Sequence, residues 1–118
     1  MRSLLLLLVF ALSTGRLLSA DEPQIELYEA PTHIGQSVTV SGLVVVVFVN
    51  KYGNAFINFG DKYPNQTFTG LIPAGTPLAS DSSLQELQGK TVKITGVIEL
   101  NRGKPEMKIT SKDQIVSE

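Results

Sequence analysis

The chain has 118 residues, a formal charge of −1 and 42% hydrophobic residues, with no cysteine, no tryptophan and a single histidine. That length corresponds to one domain, and the near-zero charge guarantees no strongly basic surface. Without cysteine there is no disulfide scaffold, cysteine nucleophile, lipidated-cysteine anchor or thiolate metal site, and one histidine excludes a multi-histidine zinc centre.

The first twenty residues differ from the rest. Met1-Arg2-Ser3 is a short positive start, and Leu4 to Leu12 is an unbroken apolar run. Nine residues rise about 13 Å as a helix, far short of a roughly 30 Å hydrocarbon core. The segment 1–20 therefore reads as a cleaved secretory signal peptide, cut after Ala20 or after Gly15, and not as a membrane anchor. The mature chain, with no membrane span of its own, is expected in the periplasm or outside the cell. Residues 30–118 carry eight basic and seven acidic side chains, because four of the acids lie within Asp21 to Glu29.

Residues 21–35 are acidic, contain Pro23 and Pro31 and show little periodicity, so they are expected to be an irregular lead-in with Ile25, Leu27 and Ala30 available for docking. From residue 36 the pattern changes. Ser37 to Gly42 alternates polar and apolar as a half-buried strand does, and Leu43 to Val49 continues as an apolar, valine-rich run. Gly42 at the junction predicts a bend, giving one long bent strand over 37–50. Lys51-Tyr52-Gly53-Asn54 is hairpin-turn chemistry. Ala55 to Phe59 is the second strand, Gly60 to Asn65 a turn, and Thr67 to Ile72 the third strand, where Gly70 leaves the facing of Phe68 open. Ser80 to Ser83 offers helix N-caps ahead of Leu84 to Leu87, and Gly89 a stop, which predicts one short helix. Thr91 to Leu100 alternates most clearly of all. Asn101 to Lys104 turns it into Pro105 to Thr110, and Ser111 to Ile115 predicts a helical turn that tucks Ile115 inward.

Three strands, a short helix and two more strands is the order of a five-stranded, partly open OB-fold Greek-key barrel, an all-β fold with a helix between its third and fourth strands. Seven strands without a helix, as in an immunoglobulin-like sandwich, are not available. Val38 to Gly42 followed by Ala55 to Asp61 resembles the tRNA-anticodon-binding type of OB domain. Asn58 to Ile72, Gly89 to Gly96 and Gly103 to Glu106 resemble small exported bacterial OB-fold proteins. The resemblance covers about 36–116, within an OB domain at 36–118. It implies single-stranded nucleic acid as ligand class, with an outward aromatic of the second strand stacking on a base, the role that falls on Phe56.

Phe56 shares a strand face with Asn58, while Ala55, Ile57 and Phe59 share the other and read as core. Phe56 either stacks on a base or lies under a loop or an oligomer interface. Tyr52 and Tyr63, beside Lys51 and Lys62, form aromatic-plus-basic pairs at the two ends of the strand, and Arg102, Lys104 and Lys108 on the last hairpin flank the same face. The candidate ligand-binding set is thus Tyr52, Phe56, Asn58, Lys62, Tyr63, Arg102, Lys104 and Lys108. The family pattern places a basic residue in the second half of the first strand, where Val44 to Val49 has none. That departure and the balanced charge weaken the electrostatic drive toward nucleic acid. The alternative is an envelope or extracellular protein-interaction module that uses the same face for a protein partner, a peptide or self-association. No enzyme, cofactor or metal is expected. His33 has no evident partner, Ser80 to Ser83 read as caps, Asp61 belongs to a turn, and Glu99, Glu106 and Asp113 fall on different elements without paired-acid spacing. Asn65-Gln66-Thr67 is a glycosylation sequon, relevant only to a eukaryotic secretory route.

Overall fold

The computed structural model describes residues 22–61 and 65–118; the leader read in residues 1–20 lies outside them. Seven strands form one sheet: β1 (Gln24–Glu26), β2 (Ser37–Val49), β3 (Ala55–Phe59), β4 (Phe68–Ile72), β5 (Thr91–Asn101), β6 (Lys104–Lys108) and β7 (Ile115–Ser117). The pairings run β2–β3–β4–β6–β5 and return to β2, which is the barrel. All are antiparallel except β4 with β6.

The bend expected at Gly42 is where β2 changes partner. Residues 37–43 pair with β5, residues 44–49 pair with β3, and the register slips between Val44 and Val46. A bulge leaves backbone groups without ladder partners, and burial makes orphans costly. The segment after the helical region supplies them. Lys90 C=O accepts from Val44 N–H (2.9 Å), Gly89 N–H donates to Val44 C=O (2.8 Å), and Gln88 Oε1 accepts from Val47 N–H (2.9 Å).

Inside the barrel, alternation along each strand places Val38, Val40, Val44, Ile57, Phe59, Phe68, Ile94, Ile98 and Met107 out of contact with solvent. Phe68, whose facing Gly70 obscures, points inward against Phe59, ring centroids 6.0 Å apart. Gly70 lies under the Ile109 side chain, whose Cδ1 a Cβ there would approach to 2.9 Å, so glycine in β4 leaves room for the residue that follows β6.

Three regions differ from the sequence expectation. The lead-in is ordered structure: β1 pairs in parallel with β2, and residues 27–33 form a 3-10 helix that buries Ala30. Ile25 is buried, and Leu27 packs directly over Gly42, where a Cβ would approach the Leu27 side chain to 2.6 Å. Periodicity missed it because three strand residues and two helical turns are too short to show a repeat. The single short helix is instead two 3-10 turns, Pro77–Ser80 and Ser82–Leu87, burying Leu78, Ala79 and Leu84. Pieces this short gain little from α-helical bonding, and side-chain caps set their form. Thr76 Oγ1 accepts from Ala79 N–H and Asp81 Oδ1 from Ser83 N–H. The Ser83 hydroxyl and N–H, with Lys112 beyond them, hold the Asp81 carboxyl below its ordinary range. Finally, the tail makes the expected turn, at Lys112–Gln114, and then adds β7 beside β5, with Ile115 opposite Ile94.

Gln114 locks that tail. Its Oε1 accepts from Thr110 N–H (2.9 Å) and Ser111 N–H (3.1 Å), and its Nε2 donates to Thr95 C=O (2.9 Å) and Lys108 C=O (3.2 Å).

Two outcomes follow for stability. Gly42→Ala overpacks the Leu27 contact and lowers unfolding free energy by about 1–3 kcal/mol in a denaturant titration; a midpoint equal to wild type would show that Leu27 does not hold the lead-in there. Gln114→Glu sets a carboxylate oxygen against two carbonyls and costs about 1–3 kcal/mol at pH 7. Protonation restores a donor, so the folded-state pKa of that carboxyl is raised above the unfolded value of about 4.3, and the deficit, full above the folded-state pKa, shrinks as pH falls through it and is lost below about 4. A deficit independent of pH would contradict this arrangement.

Candidate nucleic-acid interface

With Ala55, Ile57 and Phe59 turned into the core, the residues between them face outward, and the register aligns them with neighbours on four other strands. One cross-strand row runs Phe48, Phe56, Leu71, Lys108; the next runs Val46, Asn58, Thr69, Glu106, Glu99. An apolar row ending in a cation thus lies beside a polar row ending in two acids.

Phe48 and Phe56 stack face to face, ring centroids 4.9 Å apart and planes 17° from parallel. Phe48 remains 38% exposed and Phe56 is half-buried. Asn58, although on the outward face, is only 2% exposed, because Thr69 and Gln66 cover it. Gln66 Nε2 donates to Thr69 Oγ1 (3.3 Å), which donates onward to Asn58 Oδ1 (3.1 Å). The other end of this relay, Gln66 Oε1, is buried without a hydrogen-bond partner among the described residues.

These side chains line a groove of about 510 Å³, with Phe48 and Phe56 on one side and Arg102, Lys104 and Glu106 on the other. The far wall is the β5–β6 hairpin, where Arg102 (φ 55°) and Gly103 (φ 81°) both adopt left-handed conformations. Two central residues with positive φ make the tight turn that matches strand twist, and asparagine or glycine fills such positions more comfortably than arginine. Asn101 Nδ2 donates to Glu106 Oε2 (3.0 Å), which ties up one oxygen of the groove's carboxylate.

Of the candidate residues, Phe56, Asn58, Arg102 and Lys104 converge on this groove. Lys108 lies on the same face, one register step from Leu71. Tyr52 does not join them: it lines a separate groove on the other side of the β2–β3 hairpin, 70% exposed, with Lys51 Nζ 5.2 Å from its ring centroid. Lys62 and Tyr63 lie outside the described residues.

Phe48, Gln66 and Thr69 line the groove in addition to the residues that the sequence singles out. Phe48 was within reach: counting outward from the turn at 51–54 pairs position 49 with 55 and 48 with 56, as observed. Gln66 and Thr69 carry no local signal, since their role exists only where β4 lies beside β3. Glu99 and Glu106, separate in the sequence, are register partners across β5 and β6. His33 is half-buried, its Nδ1 2.8 Å from Gln36 Oε1. Among the described residues, no three acidic or histidine side chains gather closely enough to hold a metal ion.

No family model matches the sequence, and no curated protein does. Similar solved structures are plentiful. Asparaginyl-tRNA synthetase of Entamoeba histolytica in complex with asparaginyl-adenylate aligns at 18% identity and a TM-score of 0.54, over 80% of this chain and 23% of the synthetase. OBody AM1L10, bound to hen egg-white lysozyme, aligns at 20% identity and a TM-score of 0.59, over 82% of this chain and 94% of the OBody. A lipoprotein of Klebsiella pneumoniae subsp. pneumoniae whose name proposes nucleic-acid binding aligns at 14% identity and a TM-score of 0.50, over 88% and 98% of the two chains. This chain spans only about a fifth of an aspartyl-tRNA synthetase-like protein from Leishmania major that it also matches, 21% of its length. At these identities the likeness is one of fold, and with the strand pairing described above it establishes an OB-like barrel.

Proposed function

We propose that this protein is an exported OB-fold module that binds single-stranded nucleic acid in the groove between the β2–β3 face and the β5–β6 hairpin, and that it is a binder and not an enzyme. One observation carries the reading. The stacked pair Phe48–Phe56 stays partly exposed in a groove that also holds a relayed amide system and two cations. Every base has a π-face, so a pre-stacked aromatic pair offers a platform worth about 1–3 kcal/mol per base. The Gln66–Thr69–Asn58 relay, buried at Thr69 and Asn58, stiffens the groove wall between β3 and β4, and Arg102, Lys104 and Lys108 take phosphates. The fold shared with a tRNA synthetase and with the Klebsiella lipoprotein supports this ligand class. Export rests on the apolar leader at 1–20.

A second reading has its own support. The OBody is this scaffold bound to a protein, lysozyme, and the nearly balanced charge suits a protein partner as well. Light scattering of the mature domain and cross-linked pull-down from its envelope distinguish this alternative, which requires either self-association or a captured protein that Phe48→Ala releases.

Under the nucleic-acid reading, Phe56→Ala weakens binding of a short oligonucleotide by about 1–3 kcal/mol in fluorescence anisotropy; wild-type affinity in that variant would remove the stacking platform. Three cations facing phosphates give a plot of log K against log salt a slope of about −2. A slope near zero would eliminate phosphate contact from the mechanism. Arg102→Asn separates stability from binding. It relieves a left-handed arginine, so thermal stability rises, while affinity falls and the salt slope becomes shallower by about 0.7. Unchanged affinity would exclude Arg102 from the site.

A further inference from the structure

We infer that the free edge of β7, with the apolar pocket beside it, takes an extended peptide that adds one strand to the sheet and carries an aliphatic side chain next to a carboxylate. This surface is built from the tail and the 3-10 turns, and the inference is independent of the nucleic-acid reading. β7 is the last strand of the sheet and pairs, among the described residues, with β5 alone. The bond from Glu118 N–H to Thr91 C=O (3.0 Å) fixes the phase of that ladder. Bonded and non-bonded pairs alternate in an antiparallel ladder, so Val116 exchanges bonds with Lys93 while the backbones of Ile115 and Ser117 point away from β5. Ile115 N–H is taken by Lys112 C=O, which closes the preceding turn. Ile115 C=O and both backbone groups of Ser117 remain, facing outward and unpaired among the described residues. Two acceptors and a donor in that spacing are the template that a further strand requires.

Beside that edge, the 3-10 turns form the opposite wall of a pocket of about 180 Å³. Leu78, Leu84 and Leu87 line it from the turns and Ile115 from β7, so the lining is aliphatic. An apolar cavity of about 150 Å³ is enough for a benzene-sized guest, and this one takes a single branched aliphatic side chain. Because side chains alternate along a strand, the added strand places one residue in the pocket and turns its neighbours outward, beside the exposed Val116. A peptide fits this surface better than a second barrel does. Three residues of edge and one pocket fall short of the roughly 800 Å² per partner that a stable complex of folded domains buries. Charge selects the flanking residue. Lys112 lines the same pocket with its side chain 78% exposed, 3.7 Å from Asp81 Oδ2. Asp81 is already engaged, since its Oδ1 accepts from Ser83 N–H (2.9 Å) and Ser83 Oγ (2.7 Å). The cation is thus loosely held and open to a second carboxylate, that of the peptide.

The test uses capped hexapeptides of threonine and valine with a central leucine followed by either aspartate or lysine, titrated into the isotope-labelled protein and followed by amide NMR. The aspartate peptide shifts the signals of Ile115, Val116 and Ser117 and of Leu84 and Leu87 saturably, and replacing its leucine by serine weakens binding about ten-fold or more. The lysine peptide binds about three-fold more weakly, the scale of an exposed ion pair, and Lys112→Glu reverses that preference. Ser117→Pro is the sharpest variant, because that N–H points away from β5. β7 keeps its place in the sheet while the added strand loses a donor, and affinity falls about five-fold or more. A thermal melt equal to wild type shows the barrel intact in Ser117→Pro; where the melt is lower, the reversal by Lys112→Glu decides. The inference is overturned if the aspartate peptide leaves residues 115–117 unshifted, if the two peptides bind alike, or if Ser117→Pro with an unchanged melt binds as wild type does. It is overturned in favour of a second copy if the protein sediments as a dimer that Ser117→Pro converts to a monomer.

Discussion

Everything in this barrel depends on one strand changing partners. β2 pairs with β5 over its first half and with β3 over its second, and the change requires a bend that ordinary strand geometry does not provide. Gly42 permits it by omitting a side chain where Leu27 packs, and the bulge between Val44 and Val46 completes it. The cost of a bulge is unpaired backbone, and that cost is met locally, by Gln88, Gly89 and Lys90. The two 3-10 turns at 77–87 therefore do more than close one end of the barrel: they deliver a backbone segment to the bend. Likewise the lead-in is part of the domain, because Leu27 fills the space that Gly42 leaves open.

The candidate binding face is a consequence of the same bend. Beyond the bulge, β2 lies flat against β3, and that pairing sets Phe48 opposite Phe56. Parallel pairing of β4 with β6 then brings Thr69 opposite Glu106 and sets the β5–β6 hairpin, with its arginine and lysine, along the same groove as the aromatic pair. The resulting groove is mixed in character. Its cations face a carboxylate already bonded to Asn101, and its amides are ordered by a single hydroxyl. Long-range attraction from such a groove is correspondingly weak, in keeping with a domain whose basic and acidic residues nearly balance.

How much of this was legible in the chain divides by range. The alternation of Ala55, Ile57 and Phe59 against Phe56 and Asn58 is local, and both faces read correctly. Gly42 as a bend and 101–104 as a turn are likewise local signals. The burial of Asn58 was not legible, because it depends on Thr69 and Gln66 arriving from the next strand. Phe68 was undecided for a related reason: Gly70 breaks the alternation, and only the passage of Ile109 over that glycine shows which face is inward. The lead-in and tail strands, β1 and β7, have three residues each, too few for a period to emerge, and they exist because β2 and β5 offer them an edge.

The sequence by itself determined the order of the five barrel strands, the core-facing residues of β2, β3 and β5 and the OB-like class, since these follow from side-chain alternation and turn chemistry within a few residues. Tertiary structure alone decided which candidates meet. It joined Phe56 to Phe48 and placed Asn58, Arg102 and Lys104 around one groove, while it set Tyr52 on the opposite side of its hairpin. The physical reason is register. A side chain's direction is a property of its own strand, but its neighbours across the sheet are set by bulges, parallel pairings and hairpin lengths elsewhere in the chain.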